Sequence, residues 1–325
     1  MATIDAAIQE VVSHLLPLIT NHKQNQTTPN SSPFILGLTG LQGSGKSTWA
    51  SKLSTTLNTT SSLKTIVLSL DDLYLPHSQL IALRHQNPSN KLLRTRGQPG
   101  SHDVALARSF FEAVRTGETP LKLPRFDKSR FEGEGDRVPI EEWEKINVST
   151  GKGMDVLIFE GWCVGFQPLS TSELKAKWET ACAERQRRKN DSLSGQEADG
   201  DESCSITTLA DHSLDSLLTI NGNLREYCEI FMGPQCFDTF IHLDTEDLRN
   251  VYRWRIEQEH ALIKAKGEGM SDESVVAFVR GYMPSYELYL DQLRRGFFEG
   301  EEKGKKTHLR VVLGVTRRIA SIATI

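Results

Sequence analysis

The sequence predicts an α/β fold: a doubly wound, mainly parallel sheet with helices on both faces. Three observations predict it. Five apolar runs of strand length recur along the chain: Phe34–Leu36, Thr65–Leu70, Val156–Phe159, Thr239–Leu243 and Leu309–Leu313. They are mostly continuous rather than alternating, as strands buried on both faces require. Stretches with helical spacing separate them, which is the pattern of a parallel sheet with crossover helices. Finally, the first run opens through glycine into a helix, the geometry that binds anions at a helix N-terminus.

That junction reads Gly37-Leu38-Thr39-Gly40-Leu41-Gln42-Gly43-Ser44-Gly45-Lys46-Ser47-Thr48 and fits G-x-x-x-x-G-K-[ST]. Glycine permits backbone angles closed to other residues, so successive N–H groups can turn inward around phosphate oxygens. Lys46 supplies a mobile charge for the outer phosphates, and the Ser47 hydroxyl can ligate Mg²⁺. Gly40, Leu41, Gln42, Gly43, Ser44, Gly45, Lys46, Ser47 and Thr48 are therefore the candidate nucleotide-binding residues. Trp49, Leu53 and Leu57 fall on one face of the helix that follows.

The other elements follow in order. Ile4, Ile8, Val11, Val12, Leu15 and Leu16 repeat at helical spacing, predicting a helix over 3–19 with Thr3 as its cap. Residues 20–33, rich in Asn, Thr, Ser and Pro, read as a linker. The second run ends in Asp71-Asp72-Leu73-Tyr74, and helices are expected near Ser78–Gln86 and Val104–Arg115. Between them lies a polar loop, Arg94–Asp103. The third run ends in Glu160-Gly161-Trp162, the fourth in Asp244 and the fifth at Gly314. Arg310 inside the fifth run suits an edge position. Residues 184–211 turn basic, then Ser/Gly/acid-rich, with few large apolar residues, so a disordered insertion is expected. Helices near Leu214–Phe231, Asp247–Lys266 and Asp272–Arg295 complete a single domain over 1–325.

Composition narrows the function. The 325 residues carry a net charge of -4 and a pI near 6.2, which argues against a dedicated nucleic-acid binder. No apolar run is long enough for a membrane span. Five scattered cysteines without metal-ligand spacing suit reduced thiols in the cytoplasm. The N-terminus shows no secretory or mitochondrial pattern.

Several residues could carry chemistry. Glu160, closing a strand downstream of the loop, can hold Mg²⁺ opposite Ser47, or stand as an ordinary strand-end acid. Asp71 and Asp72 end the neighbouring strand; if strand geometry persists, only one faces the nucleotide, where it could accept a hydroxyl proton. The alternative is a helix cap. Arg94, Arg96, Arg125, Lys128, Arg130 and Arg137 crowd loops suited to a small anion, or to ion pairs with Asp103, Asp127 and Asp136. His102 reads as a hydrogen-bonder. Arg249, Arg253 and Arg255 share a helix but diverge around it, and either pair with acids such as Glu257 and Glu259 or serve a closing lid.

Together these motifs resemble the fungal and plant glycerate-kinase-like branch of the P-loop small-molecule kinases, related to phosphoribulokinase, uridine kinase and pantothenate kinase. The residues that carry the resemblance are Gly40–Thr48, Asp71–Tyr74, Arg96–Asp103, Pro124–Ser129, Gly133–Arg137, Phe159–Trp162, Tyr252–Arg255 and Tyr282–Tyr286. The resemblance implies a P-loop NTPase fold, ATP and Mg²⁺, Asp71 as base and Arg255 as the lid arginine. It points to Arg96, His102, Arg125, Asp127, Lys128 and Arg137 on the acceptor side. The expected activity is phosphoryl transfer from ATP to a hydroxyl of a small anionic metabolite, with D-glycerate the leading candidate. A guanine-reading switch is disfavoured because Asn90-Lys91-Leu92-Leu93 lacks the aspartate of N-K-x-D. A nucleotide-binding scaffold with little turnover is the remaining rival.

Overall fold

The computed structural model describes residues 3–25, 32–117, 120–146, 153–193, 204–298 and 305–325. Its centre is a six-stranded sheet in the order β10-β9-β8-β1-β7-β2. The strands are β1 (Phe34–Gly40), β2 (Thr65–Ser69), β7 (Val156–Gly161), β8 (Thr239–Asp244), β9 (Thr307–Leu313) and β10 (Ile319–Thr324). β2, β7, β1, β8 and β9 run parallel, and β10 returns antiparallel to β9. Every residue of β1, β7 and β8 is buried, which requires cover on both faces. Two small antiparallel pairs lie outside the sheet: β3 (Leu121–Leu123) with β6 (Glu144–Ile146), and β4 (Phe126–Asp127) with β5 (Asp136–Arg137).

The described helices are α1 (Ile4–Gln24), α2 (Lys46–Ser61), α3 (His77–Gln86), α4 (Val104–Thr116), α5 (Thr171–Leu193), α6 (Leu214–Tyr227), α7 (Asn250–Lys266), α8 (Asp272–Arg280) and α9 (Met283–Arg295). None is long and apolar enough to cross a membrane. α1 packs on α2 and β1 through Ala7, Ile8, Val11, Val12, Leu15 and Ile19. It outruns the expected end at residue 19, and through Pro17, because its last turn is anchored elsewhere. His22 Nε2 bonds Ser32 O at 3.0 Å and Lys23 pairs with Asp155 at 2.6 Å. Residues 26–31 of the expected linker lie outside the described residues.

Three further expectations are corrected. The long C-terminal helical pattern is two helices, α8 and α9, broken around Gly281 with Pro284 in the first turn of α9. β9 is interior, not an edge, because Arg310 is neutralised by fully buried Asp244, with bonds of 2.6 and 2.9 Å. The edge falls to β10, whose alternating, weakly apolar sequence gave no strand signal. The 184–211 stretch is not uniformly without structure. α5 continues through residue 193, and the chain from 204 onward packs down on α9 and α7. Thr208, 1% exposed, donates its N–H and hydroxyl to Glu287 Oε1, both at 2.6 Å, and Ser205 O accepts from the Tyr252 hydroxyl. Asp211 bridges Arg185 and Arg280. Composition misses this because the stability comes from bonds to distant elements. Residues 194–203 lie outside the described residues.

Candidate active site

The site forms where β1 ends. Gly43 (φ +80°) and Gly45 (φ +91°) take the left-handed angles that turn the loop's N–H groups inward. Gly43 is also squeezed: a Cβ there would lie 2.6 Å from Trp254 Cβ of α7. The Tyr286 hydroxyl of α9 accepts from Gln42 N at 3.0 Å, and Ser44 N bonds Leu41 O at 3.1 Å. Gly40 lets Ser44, Leu243 and Lys46 close over the strand end. Lys46 and Ser47 then open α2, with Lys46 Nζ bonding Leu41 O at 3.3 Å.

Register brings in the acids. β7 pairs with β1 so that Glu160 lies beside Leu38. The Ser47 hydroxyl donates to Glu160 Oε1 at 3.0 Å. Two hard oxygens at a phosphate loop suit Mg²⁺, which keeps its remaining positions for phosphate and water. Burial raises the Glu160 carboxyl above its ordinary range, with the Lys46 charge opposing it. Burial lowers the Lys46 ammonium, with Glu160 and Asp71 opposing that shift.

β2 stops at Ser69, and the two aspartates sit in a 3-10 turn, Leu70–Leu73, rather than on an extended strand. The outcome is still divergence. Asp71 lines a cavity of about 250 Å³ with Lys46, Ser47, Lys128 and Glu160. Asp72 turns away and accepts from Phe126 N at 3.1 Å. Burial pushes the Asp71 carboxyl up, but the Lys128 charge and hydrogen bond and the Tyr74 hydroxyl outweigh it, leaving the pKa below the ordinary value. For Asp72, burial wins and the pKa is raised, against the Phe126 bond.

Beside the cavity, Lys128 Nζ reaches Asp71 Oδ2 at 2.5 Å. Arg96 lies over the rings of Tyr74 and Phe126, and its Nη1 donates to the carbonyls of Gly133 and Glu134, each at 2.6 Å. His102 stacks on Tyr74 with centroids 4.3 Å apart, and Tyr227 Oη lies 3.1 Å from its Nδ1. Burial lowers its pKa to about 3 despite nearby Asp71, so the ring is neutral.

The other candidates are held elsewhere. Arg125 is exposed, and Asp127 accepts from Ser129 N and Oγ. Arg137 binds Tyr74 O and Asp103 Oδ2. Arg255 pairs with Glu259 at 2.9 Å and lies over Phe278, so its side chain is parked on the helix acid rather than in the cavity. Asp244 is locked by Arg294 and Arg310. Sequence reasoning missed Ser69 and Gln258 in the cavity wall. Gln258 was findable: it stands one turn beyond Trp254 on the α7 face that meets the loop.

No family model matches the chain. The uncharacterised kinase mug58 of Schizosaccharomyces pombe is 37% identical, over 89% of this chain and 91% of that protein. The chloroplastic D-glycerate 3-kinase of Arabidopsis thaliana is 32% identical, over 80% of this chain and 48% of that protein. The solved structure of a D-glycerate 3-kinase from Cryptococcus neoformans var. grubii superposes with a TM-score of 0.81 at 31% identity, covering 98% of this chain and 99% of that one. With the phosphate loop, these relatives place the chain in the glycerate-kinase-like branch of the P-loop small-molecule kinases, to which it belongs as an ATP-dependent phosphotransferase.

Proposed function

We propose that this kinase phosphorylates a hydroxyl of a small anionic metabolite, with D-glycerate as the leading candidate. One observation carries the reading: a lysine ammonium and a carboxylate stand side by side at the wall of the phosphate cavity, Lys128 against Asp71. The pair offers a cation for an acceptor carboxylate and a base for the neighbouring hydroxyl. Two of the relatives are named D-glycerate 3-kinases, which supports the same choice.

In the proposed mechanism the Gly40–Thr48 amides and Lys46 hold the triphosphate. Ser47 and Glu160 would hold Mg²⁺, which neutralises phosphate charge when bound. The acceptor oxygen attacks the γ-phosphorus, the bond to the β-phosphate oxygen breaks, ADP leaves, and the hydroxyl proton passes to Asp71. Arg96 and neutral His102 shape the acceptor side around Tyr74, while Arg125, Asp127 and Arg137 set the loops that carry it. Arg255 would stabilise the transferring group after leaving Glu259 as the lid closes. We place the enzyme in the cytoplasm, where its five free cysteines would stay reduced.

The test is ADP release with Mg²⁺, ATP and either D-glycerate, glycerol, a sugar or a nucleoside. Glycerate should raise ADP release far above the acceptor-free rate and yield phosphoglycerate. A neutral acceptor outpacing every hydroxy acid would reject the anionic assignment.

A further inference from the structure

One oxygen of the Asp71 carboxylate is occupied: Oδ2 accepts from the Lys128 ammonium at 2.5 Å. An ammonium on one oxygen lowers the basicity of the whole carboxylate, so the base is weakened until the ammonium moves. The two partners are anchored very differently. Asp71 is fixed, with its N–H on Ser69 Oγ in a turn whose Leu70 and Leu73 are fully buried. Lys128 sits in the connection between β4 and β5 with its side chain 56% exposed. Its neighbours are engaged with each other, Ser129 Oγ donating to Asp127 Oδ1 at 2.6 Å. An ion pair with one arm in solvent is weak, so the lysine can leave while the carboxylate stays.

We infer that Lys128 is a latch on Asp71, opened when the acceptor's anionic group draws the ammonium away, so that the base is withheld from water until the substrate is seated. The inference rests on Asp71 being the base. The reaction it suppresses is hydrolysis: a water oxygen attacks the γ-phosphorus, the bond to the β-phosphate oxygen breaks, ADP leaves with the electron pair, and the water proton goes to Asp71. A neutral acceptor does not open the latch, so selectivity for an anion enters through turnover as well as binding.

The test uses the full chain, with ATP hydrolysis measured without acceptor. Lys128→Met should hydrolyse ATP roughly tenfold faster than the parent, short of the roughly 10²–10⁴-fold of a positioned base because water is not seated as the acceptor is. Lys128→Arg should return to the parent rate, and adding Asp71→Asn to Lys128→Met should remove the gain. The preference for D-glycerate over glycerol, as a ratio of kcat/KM, should fall about tenfold in Lys128→Met, with part of the change in kcat. A lysine that only supports the fold moves neither readout. Slower acceptor-free hydrolysis in Lys128→Met, as when ATP itself takes the ammonium, overturns the latch. So does an unchanged glycerate preference. The base assignment fails on its own evidence: Asp71→Asn alone would retain full phosphoryl transfer, whatever Lys128 does.

Discussion

At the scale of single residues, Asp71 and Asp72 form an internal control. They share a chemistry and a turn, yet one faces the phosphate cavity and the other caps Phe126 N. Asp71→Asn keeps the shape and removes the proton-accepting strength, so turnover should fall roughly 10²–10⁴-fold with ATP affinity little changed. Asp72→Asn keeps an acceptor for Phe126 N and should lose far less. Single-turnover transfer with separately measured ATP binding checks this, and equal losses would refute the division of labour. The sequence showed that a carboxylate should meet the nucleotide here, but the stated reason, alternation along a strand, does not hold. A 3-10 turn separates the two side chains instead. The phosphate loop and Glu160 were legible because motif and strand register fix them. The Arg137–Asp103 and Arg255–Glu259 pairs were among the ion pairs the sequence offered; the partner of His102 was not legible, because residue type does not say that Tyr227 stands within reach.

Among the elements, the phosphate loop is held to its shape from outside. Gly43 and Gly45 both have positive φ, but only Gly43 lies against another element, with Trp254 where a Cβ would go; nothing lies within 4 Å of a Cβ on Gly45. Both alanine variants carry the backbone penalty of about 1–2 kcal/mol. Gly43→Ala must also displace α7, so its ATP affinity should fall at least about tenfold further than that of Gly45→Ala. Calorimetric ATP titration of the two variants decides it; equal affinities would mean that α7 does not brace the loop. Most helices were legible from their periodicity, including the cap of α1 by Thr3. α5 and the 204–211 segment were not. Their anchors, Glu287, Tyr252 and Arg280, lie far along the chain, and a window of local composition cannot contain them.

At the scale of the whole molecule, three buried histidines make stability depend on acid. Burial lowers His102 and His308 to about 3 and His242 to about 4; Asp71 and Asp244 oppose the shifts of His102 and His242, while the Arg310 charge reinforces that of His308. All three are neutral when folded and regain an ordinary pKa of about 6.5 when unfolded. The unfolded chain therefore binds more protons between those values, and stability must fall as pH drops below about 6.5. Asp244, whose folded pKa is lowered by its arginines despite burial, adds a loss of the same sign at lower pH. The urea midpoint should decline from pH 7.5 to 5, and His308→Gln should flatten that slope by about one proton. A slope unchanged in His308→Gln would show that His308 already titrates normally in the fold. The position of β1 has a consequence measured in time. Thr39 bonds a residue 122 positions away and Ile35 one 203 away, because β1 lies between β7 and β8. At about 5–20 residues per second, a ribosome needs roughly 10–40 s after making β1 to finish its second neighbour. Until β7 has been made, roughly 6–24 s into that interval, seven residues destined for burial have no neighbouring strand to join, and until β8 is made they stand at an open edge. ATP cannot shorten the wait, because its loop has no rigid strand to hang from until β8 has emerged.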